Sequence, residues 1–509
     1  MPSPTALYTV SEIREIEQAN LAVLPESTLM QRAGHAAAKL ASDLLGLPAN
    51  GRILAIAGPG NNGGDAIESA RLLAEAGFDV TVLLCADAAK LPPDAQQALA
   101  RARLGKVRFA TASLEAIQSC TDWALIIDGL FGIGLARPIT GLPRDLIEAI
   151  NQLACPVLAL DVPTGLNADT GSIVGDGRVA VRATHTITFI ADKPGLHTLF
   201  GRDCAGQVHV ADLGIEDKYF KQARIQLNAV ELFSACLKRR AHNTHKGSYG
   251  DVIVVGGAPG MAGAPILASR AASKCGAGRV FAAFIGEPPA YDSMQPELMC
   301  RRALDVNFSN GTIVAGPGMS TSHDAHDLLD KVIQASGPLV LDADALNLVA
   351  SDTALQRKLA ERKGPLLMTP HPLEAARLLQ QSTQEIQSDR LAAARAIAAR
   401  FDAVVVLKGS GTIIARPDGH AVINTTGNPA LATAGTGDVL AGICGALLAQ
   451  YSLAWEAALA ATWLHGRAAD LLTSQGIGPI GLTATELIPC VRTLLNQLTD
   501  QHAGRVTSH

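Results

Sequence analysis

The sequence has few charged residues and no excess of basic ones. Asp, Glu, Lys and Arg make up 17% of its 509 residues, and 42 Lys and Arg stand against 47 Asp and Glu, a formal net charge of -5. Binding to a nucleic-acid backbone requires a basic surface, so we expect no nucleic-acid partner. Hydrophobic residues reach 48%, which is enough to build packed cores and excludes general disorder.

Metal-binding and disulfide patterns are also missing. The nine cysteines are odd in number and never spaced Cys-x-x-Cys, and the thirteen histidines never occur as His-x-x-x-His. Such a sequence fits neither a disulfide framework nor a zinc site. We expect reduced, mostly buried thiols.

Long apolar runs are absent as well. The best candidate for a membrane span, Val439 to Trp455, falls short of the ~20 apolar residues that a crossing needs. Near the N-terminus, Glu12, Glu15 and Glu17 stand where a secretory signal would need an uncharged core. We therefore expect a cytoplasmic protein without membrane contact.

The chain is longer than one domain, at ~100–200 residues per domain. Short aliphatic runs alternate with alanine-rich helical segments, the pattern of βαβ units around parallel sheets, which predicts an α/β fold. Between Asp212 and Gly247 the strand pattern stops and charge accumulates. We predict domains at 1–215 and 242–509, joined by a linker at 216–241.

Each predicted domain has its own series of strands. In the first half we predict strands at Ile53–Ala57, Val80–Cys85, Leu125–Asp128, Val157–Asp161, Thr186–Ile190 and Val208–Val210. In the second half they are Asp251–Val255, Arg279–Ile285, Thr312–Ala315, Pro338–Asp342, Leu366–Thr369, Val404–Leu407 and Ile413–Ala415. Helices are predicted from a Thr9-x-x-Glu12 capping box and at Ser27–Leu45, Ala66–Ala76, Leu391–Arg400 and Val439–Ala449.

Glycine-rich turns follow three strands of the first half. Gly58 to Asp65 lies between a strand and a helix, where backbone N–H groups can hold a phosphate, although an ordinary tight turn has the same composition. Asp128 and Asp161 end two apolar strands, each close to a glycine turn. A buried carboxylate needs a proton, a cation or several donors, so one could be an acid/base and the other a cation ligand. The alternative is that both only cap a turn.

Three motifs, Asn61 to Asp65, Asp128 to Gly132 and Asp161 to Gly165, resemble the NAD(P)H-hydrate epimerase family, also called the YjeF N-terminal domain. The resemblance runs from about Leu7 to Leu213 and implies a Rossmann-like domain. It implies contacts to a hydrated nicotinamide nucleotide from Asn61, Asn62, Gly63, Gly64, Asp65, Gly132, Ile133, Gly134, Leu135, Ala136, Arg137, Pro138 and Asp161. By the same resemblance, Asp161 is the acid/base at C6, and Asn62, Asp128 and Thr164 hold K⁺. Three residues depart from the usual motifs, namely Ala66 for Gly, Gly129 for Ala and Ile133 for Thr.

The second half contains a glycine-rich helix start, Ala434 to Asp438, directly before the predicted helix Val439–Ala449. Small residues leave the N–H groups of the first turn free for a phosphoryl group, and Asp438 can accept the proton of an attacking hydroxyl. The alternative is an ordinary helix start. Upstream, Lys408 to Thr412 offers a cation, hydroxyls and open backbone for a nucleotide, or else forms a hairpin with a solvated lysine.

These two segments resemble the ribokinase-like superfamily. The motifs His245 to Gly250, Gly316 to Gly318, Asp342 to Leu346, Thr369 to Glu374 and Asn428 to Ala430 resemble its ADP-dependent NAD(P)H-hydrate dehydratase branch, from about His242 to Leu495. The resemblance implies that Lys408, Gly409, Ser410, Gly411, Thr412 and Gly437 bind ADP, with Mg²⁺, and that Ala264, Gly318, His371 and Asp438 contact the hydrate. Leu373 stands where the family often has Gly.

Together the two resemblances imply one repair enzyme for hydrated NAD(P)H. The first half would interconvert the R and S forms at C6, and the second would dehydrate the S form with ADP, giving NAD(P)H, AMP and phosphate. We expect a homo-oligomer. The alternative is a ribokinase-like small-molecule kinase with a non-catalytic nucleotide-binding or protein-interaction domain at its N-terminus.

Overall fold

A computed structural model describes residues 3–46, 51–118, 120, 122–175 and 179–506. The chain divides into two compact units, Met1–Ile225 and Gln226–His509. This division falls inside the segment 216–241 that the sequence predicts as a linker. The predicted domain limits themselves stay a prediction, and their outermost residues, 1–2 and 507–509, lie outside the described residues.

The first unit contains a parallel sheet with helices on both faces. The strands of this sheet are β2 (Arg52–Ala57), β3 (Asp79–Leu84), β4 (Arg108–Thr111), β5 (Trp123–Gly129), β6 (Val157–Leu160), β7 (His185–Phe189) and β8 (Gln207–Ala211). The short strand β1 (Ala6–Leu7) precedes them in the chain, and β9 (Ile225–Leu227) straddles the unit boundary. Its helices are α1 (Val10–Leu21), α2 (Thr28–Leu45), α3 (Asn61–Glu75), α4 (Pro93–Arg103), α5 (Leu114–Gln118), α6 (Leu142–Ile150) and α7 (Gly201–Cys204).

Strands β2 to β8 run in the order β4-β3-β2-β5-β6-β7-β8, and all their pairings are parallel. Alternate residues of β2 are buried on opposite faces, Ile53 and Ala55 towards α1 to α4, and Leu54 and Ile56 towards α5 and α6. Such two-sided burial explains the continuous apolar strands. The strand order reverses at β2, between β3 and β5, and a crevice opens at the carboxyl ends of strands at such a point.

The second unit has a larger mixed sheet. Its strands are β10 (Asp251–Gly256), β11 (Arg279–Phe284), β12 (Met299–Arg302), β13 (Thr312–Ala315), β14 (Leu339–Leu341), β15 (Leu366–Met368), β16 (Val404–Leu407), β17 (Thr412–Ala415) and β18 (Ala421–Asn424). Its helices are α8 (Gly263–Lys274), α9 (His323–Gln334), α10 (Ala343–Ser351), α11 (Thr353–Ala360), α12 (Pro372–Leu379), α13 (Thr383–Ser388), α14 (Arg390–Phe401), α15 (Thr436–Tyr451), α16 (Ala454–Ser474) and α17 (Ala484–Val506).

Strands β10 to β18 run in the order β18-β17-β16-β15-β14-β13-β10-β11-β12. Pairings from β12 to β16 are parallel, whereas β16, β17 and β18 pair antiparallel. The turns after β13, β14, β15 and β16 therefore emerge at one edge of the sheet. Helix α15 is buried along almost its whole length and packs under this sheet, against α8.

The predicted α/β class with parallel sheets is confirmed. Every predicted strand is present within one or two residues, but β1, β4, β9, β12 and β18 were missed. All five are short, and β4 and β12 are also partly exposed edge strands, β12 with two arginines. Helix α3 begins at Asn61, not at the predicted Ala66, and α15 begins at Thr436, not at Val439. In both cases glycines near the helix start made the first turn look non-helical in the sequence, because glycine has a low helix propensity. Within the described residues no helix is long and apolar enough to span a membrane.

Candidate active sites

A cavity of about 810 Å³ lies at the carboxyl ends of β2, β5 and β6 in the first unit. Of the predicted epimerase residues, those that line it are Asn61, Asn62, Asp65, Gly132, Ile133, Gly134, Leu135, Ala136, Arg137, Pro138 and Asp161. Gly63 and Gly64 do not line it. They are buried inside α3, where a Cβ on Gly63 would lie 2.1 Å from the Gly58 carbonyl oxygen and one on Gly64 would lie 2.7 Å from the Met30 Cε. These two glycines allow the close packing that aims the N-terminus of α3 at the cavity.

Asp161 is held in a left-handed backbone conformation directly after β6, with φ of 64°. This conformation is unfavourable for a residue with a side chain, and such strain concentrates at functional sites. It also ends the strand one residue before the sequence predicts. The backbone N–H of Asp161 donates to the Ile187 carbonyl at 2.7 Å, and the Ile133 N–H lies 3.4 Å from the carboxylate. The carboxylate therefore faces the cavity from a fixed position.

Sequence reasoning missed the partner of Asp161. The ammonium of Lys193 lies 2.8 Å from the Asp161 carboxylate, and its side chain is fully buried. It also lies 2.6 Å from the Thr188 hydroxyl, 3.0 Å from the Phe189 carbonyl and 3.2 Å from the Ala191 carbonyl. Oxygen atoms thus surround a cation that the interior would otherwise exclude. The available signal was a single lysine just after an apolar strand.

Asp128 and Thr164 meet behind the cavity. One carboxylate oxygen of Asp128 accepts the Thr164 hydroxyl at 2.7 Å and the Leu130 N–H at 3.2 Å, and the other accepts the Thr164 N–H at 2.9 Å. Complete burial raises the pKa of Asp128 to about 6, although these hydrogen bonds lower it. A buried carboxylate with so high a pKa is one that a nearby cation would stabilise in its charged form.

Asn62 lies beside this pair. Both polar atoms of its side chain are buried and have no hydrogen-bond partner among the described residues. A Cβ on Gly132 would lie 3.2 Å from the Asn62 Cγ and 3.2 Å from an Asp161 carboxylate oxygen, so Asn62 and Asp161 flank the same turn. Buried polar atoms usually have a hydrogen-bond partner, so the oxygen of Asn62 is available to a water molecule or a cation.

Two departures from the usual motif compensate each other. The family commonly has Gly at position 66 and Ala at position 129, and this chain has the reverse. A Cβ on Gly129 would lie 2.5 Å from the Cβ of the fully buried Ala66. The contact therefore has room for one methyl group, which Ala66 on helix α3 supplies.

Two further carboxyl groups line the cavity, Glu17 from α1 and Asp65 from α3. Burial, with the nearby Asp161 carboxylate, raises the pKa of Glu17 and raises that of Asp65 well above its usual range. The sequence indicated Asp65 by its motif, but Glu17 lies in an ordinary amphipathic helix and no pattern marks it.

In the second unit a charged cluster lies at the sheet edge where β14 and β16 end. The Lys408 ammonium lies 2.6 Å from an Asp342 carboxylate oxygen and 3.9 Å from one of Glu374. Burial disfavours the ammonium, but Asp342, Glu374 and Asp438 outweigh this effect and raise the pKa of Lys408. The alternative of a solvated lysine is therefore wrong, although the turn does join two antiparallel strands, β16 and β17.

Asp438 lies in the first turn of α15, which follows Gly435 with a left-handed φ of 88°. Burial and the Asp342 carboxylate raise its pKa to about 6, and Lys408 opposes them. A Cβ on Gly435 would lie 4.0 Å from an Asp438 carboxylate oxygen, so the carboxylate lies at the start of the helix.

The side chain of His371 caps α12. Its Nδ1 accepts the N–H groups of Leu373 at 3.1 Å and Glu374 at 3.3 Å, and its Nε2 lies 3.2 Å from a Glu374 carboxylate oxygen. Burial and Lys408 lower the pKa of His371, whereas burial raises that of Glu374 to about 7. Leu373 is exposed, so its replacement of the usual Gly displaces no packed group.

The other predicted dehydratase residues fall into two groups. Ala264 and Gly318 are neighbours, since a Cβ on Gly318 would lie 3.3 Å from the Ala264 Cβ. Lys408 to Thr412 forms the turn between β16 and β17, and the buried guanidinium of Arg390 donates to the carbonyls of Leu407, Lys408 and Ser410 at 3.2, 3.2 and 2.8 Å. Sequence reasoning did not single out Arg390, which lies in an alanine-rich helix.

Both units thus place buried, electrostatically coupled carboxylates at the carboxyl ends of parallel strands, the arrangement of an α/β enzyme. Comparison with known families agrees. Residues 26–195 match a family described as YjeF-related protein N-terminus, and residues 252–491 match NAD(P)H-hydrate dehydratase.

Full-length relatives are similar over nearly the whole chain. The bifunctional NAD(P)H-hydrate repair enzyme of Coxiella burnetii is 38% identical, over 97% of this chain and 100% of its own. That of Escherichia coli is 37% identical, over 98% of this chain and 96% of its own. A crystal structure of the Bacillus subtilis ADP/ATP-dependent NAD(P)H-hydrate dehydratase is 31% identical, covers 53% of this chain and 98% of its own, and has a TM-score of 0.48. The chain belongs to the family of bifunctional NAD(P)H-hydrate repair enzymes.

The buried pair of Lys193 and Asp161 generates a first prediction. Lys193→Met removes the cation and leaves the carboxylate buried without its partner, so it should lower the free energy of unfolding of the first unit by about 3–5 kcal/mol. Adding Asp161→Asn removes the second charge and should restore part of the loss. Urea titration followed by hydrogen exchange in peptides of β5 and β6 measures both effects.

Lys218→Met is the matched control, because it breaks an exposed ion pair of 3.0 Å with Glu216. It should leave exchange in β5 and β6 unchanged. Wild-type protection in Lys193→Met would contradict the assigned importance of the buried pair.

Proposed function

We propose that the first unit epimerises hydrated NADH and NADPH at C6 and that the second dehydrates the S hydrate with ADP, giving NAD(P)H, AMP and phosphate. The observation that carries the proposal is that each unit presents one acid/base candidate at its strand-end edge, Asp161 at the cavity and Asp438 at the start of α15. Family membership supports the pairing of these activities. It does not support the alternative of a kinase with a non-catalytic domain.

In the first unit the hydrate would lie in the 810 Å³ cavity with its phosphates at the N-terminus of α3, beside Asn61 and Asn62. The ring nitrogen donates its lone pair as the C6–O bond breaks, and oxygen returns to either face of C6. Asp161 would give a proton to the departing oxygen and recover one from the oxygen that returns. Lys193, 2.8 Å away, keeps this carboxylate oriented throughout.

In the second unit the C6 hydroxyl of the S hydrate would attack the terminal phosphorus of ADP. Asp438 accepts the hydroxyl proton, the bond from that phosphorus to the bridging oxygen breaks, and AMP leaves. The C6–O bond then breaks with phosphate as the leaving group, and loss of a proton from C5 restores the double bond. Overall, ADP takes up the elements of the water that the hydrate loses.

The remaining predicted residues have supporting parts in this reaction. The turn from Lys408 to Thr412 and Gly437 would bind ADP, which enters with Mg²⁺ on its phosphates as a co-substrate. Ala264, Gly318 and His371 would contact the hydrate. The neighbouring positions of Ala264 and Gly318 support a shared surface. The Nδ1 of His371 caps α12 and its Nε2 lies beside Glu374, so the hydrate would contact the ring of this histidine.

A potassium ion in the first unit is part of the proposal. Its ligands would be the side-chain oxygen of Asn62, the carboxylate of Asp128 and the hydroxyl of Thr164, all hard oxygen donors that suit such a cation. The unpartnered side-chain oxygen of Asn62 and the raised pKa of Asp128 support this set, because a cation would satisfy both groups. The ion would hold the turn around Asp161 in place.

We also propose that the chain acts in the cytosol as a homo-oligomer. All nine cysteines are free, as in a reducing compartment. Large apolar side chains such as Leu21 and Val23 are 47% and 66% exposed at the end of α1, which supports contact with a second copy.

The two activities should separate by mutation. Asp161→Asn should abolish interconversion of the R and S hydrates while dehydration of pure S hydrate continues. Asp438→Asn should keep epimerisation and slow dehydration by ~10²–10⁴-fold, the usual contribution of a positioned base. Chiral chromatography of the hydrates and recovery of NADH absorbance measure the two rates.

Each variant is the control for the other, because the same preparation reports on both units. If Asp161→Asn epimerised at the wild-type rate, Asp161 would lose its assigned role. If Asp438→Asn lost ADP binding in calorimetry, the residue would shape the nucleotide site and would not be the base.

The potassium site has a direct test. Anomalous scattering from a crystal soaked in rubidium should show one peak between Asn62, Asp128 and Thr164, because Rb⁺ replaces K⁺ with the same preference for oxygen. Asn62→Leu is nearly isosteric and removes the unpartnered oxygen, so the peak should disappear. A water molecule at that position in the wild-type protein would contradict the proposal.

A further inference from the structure

The second candidate site contains an ion pair that no motif assigns, between Lys408 and Asp342. Asp342 follows β14 and Lys408 follows β16, so the lysine side chain reaches past the end of β15, which lies between these strands. The two charged atoms are 2.6 Å apart. Asp342 is only 1% exposed, and its backbone N–H donates to the Ala315 carbonyl at 3.0 Å. A rigid, buried group therefore holds the end of a flexible side chain.

The pair places the ammonium at the start of α15. A Cβ on Gly437 would lie only 3.6 Å from the Lys408 Nζ, and Gly437 is the residue before Asp438. The Glu374 carboxylate lies 3.9 Å from the same ammonium on its other side. One cation is thus shared by three acidic side chains at the point where the proposed reaction transfers a phosphoryl group.

We propose that Asp342 is a positioning residue for phosphoryl transfer: it fixes the Lys408 ammonium against the first turn of α15, where the cation stabilises the phosphoryl group during its passage from ADP to the hydrate. This inference rests on the dehydratase function proposed above. Asp342 itself touches neither reacting group, and it acts through Lys408.

Asp342 orders the Lys408 side chain before ADP binds. A lysine side chain has four flexible bonds, and a free ammonium beside ADP would move to the phosphates and bind them tightly before the reaction. Such binding stabilises the ground state as much as the transition state and gives no acceleration. An ammonium already fixed by Asp342 interacts strongly with the phosphoryl group only in the transition state, when the negative charge of that group develops near Lys408. This is preorganised electrostatic stabilisation.

Asp342 also adds negative charge around the base. The charged groups that face Asp438 are Asp342, Asp344 and Lys408, and of these the two carboxylates raise its pKa and the lysine lowers it. Around Lys408 stand Glu374, His371 and the buried His465, and burial lowers the pKa of His465 to about 4, so that it stays neutral. Removing the Asp342 charge should therefore lower the pKa of Asp438 and move the acid limb of the pH profile to lower pH.

The test is Asp342→Asn in the full-length enzyme. We expect kcat for ADP-dependent dehydration of S hydrate to fall by ~10–100-fold, the cost of misplacing one catalytic charge. Calorimetry should give an ADP Kd that is unchanged or lower, and the acid limb of kcat/KM should move down by about one pH unit. A wild-type kcat and acid limb, or a Kd that rises in step with the loss of kcat, would overturn the proposal.

The control is Asp330→Asn. It breaks another ion pair of 2.6 Å, between Asp330 and Lys358 at the surface of the same unit. This variant should keep the wild-type kcat and pH profile. An equal loss of kcat in Asp330→Asn would show that any broken ion pair in the unit has this effect, and would overturn the proposal.

A second experiment covers the case in which Asp342→Asn does not fold. The double variant Asp342→Asn with Lys408→Met removes both charges of the pair, and the neighbouring Glu374, whose pKa burial raises to about 7, can take up a proton. The double variant should fold and, at a pH above the acid limb, lose as much kcat as Lys408→Met alone, because the positioning effect of Asp342 depends on Lys408. If the loss of kcat in the double variant equalled the product of the losses in the two single variants, the proposal would be overturned. A wild-type enzyme without ADP-dependent dehydration would instead refute the proposed function itself.

Discussion

Burial of carboxylates at the carboxyl ends of parallel strands is the constraint on which both sites depend. Each strand end is apolar and closely packed, so a carboxylate there requires a cation, a proton or several donors. Asp161 has Lys193 at 2.8 Å, and Asp342 has Lys408 at 2.6 Å. Each unit therefore uses one lysine to hold an acidic group in place, the fully buried Lys193 in the first and the partly buried Lys408 in the second.

The same constraint produces groups suited to proton transfer. Burial raises the pKa of Asp438 to about 6 and that of Glu374 to about 7. Groups with pKa values near neutrality can both accept and release protons at physiological pH. The packing that stabilises the sheets thus also prepares the chemistry at their edges.

Much of this arrangement follows from sequence pattern. Glycine turns after apolar strands located Asp128, Asp161, Lys408 and Asp438, because parallel strands bring their carboxyl ends to one edge of a sheet. The family resemblance then supplied their expected roles. The contact between Ala66 and Gly129 shows why two unusual motif residues are compatible with the fold.

Other residues could not be found in this way. The roles of Lys193 and Arg390 depend on contacts with carbonyl and carboxylate oxygens of other residues. No local sequence pattern predicts such contacts. Glu17 enters the cavity from a helix outside every glycine motif. The starts of α3 and α15 were predicted a few residues too late, because glycine has a low helix propensity. Close packing nevertheless requires glycine at these positions.

Two chemistries in one chain are expected to restore every hydrate molecule. The most direct measurement is chromatography of a mixture of R and S hydrate with the wild-type enzyme, with and without ADP. With ADP both forms should disappear completely into NAD(P)H, with one AMP formed per hydrate, and without ADP they should only equilibrate. Persistence of the R form in the presence of ADP, or formation of a stable phosphorylated product, would contradict the account.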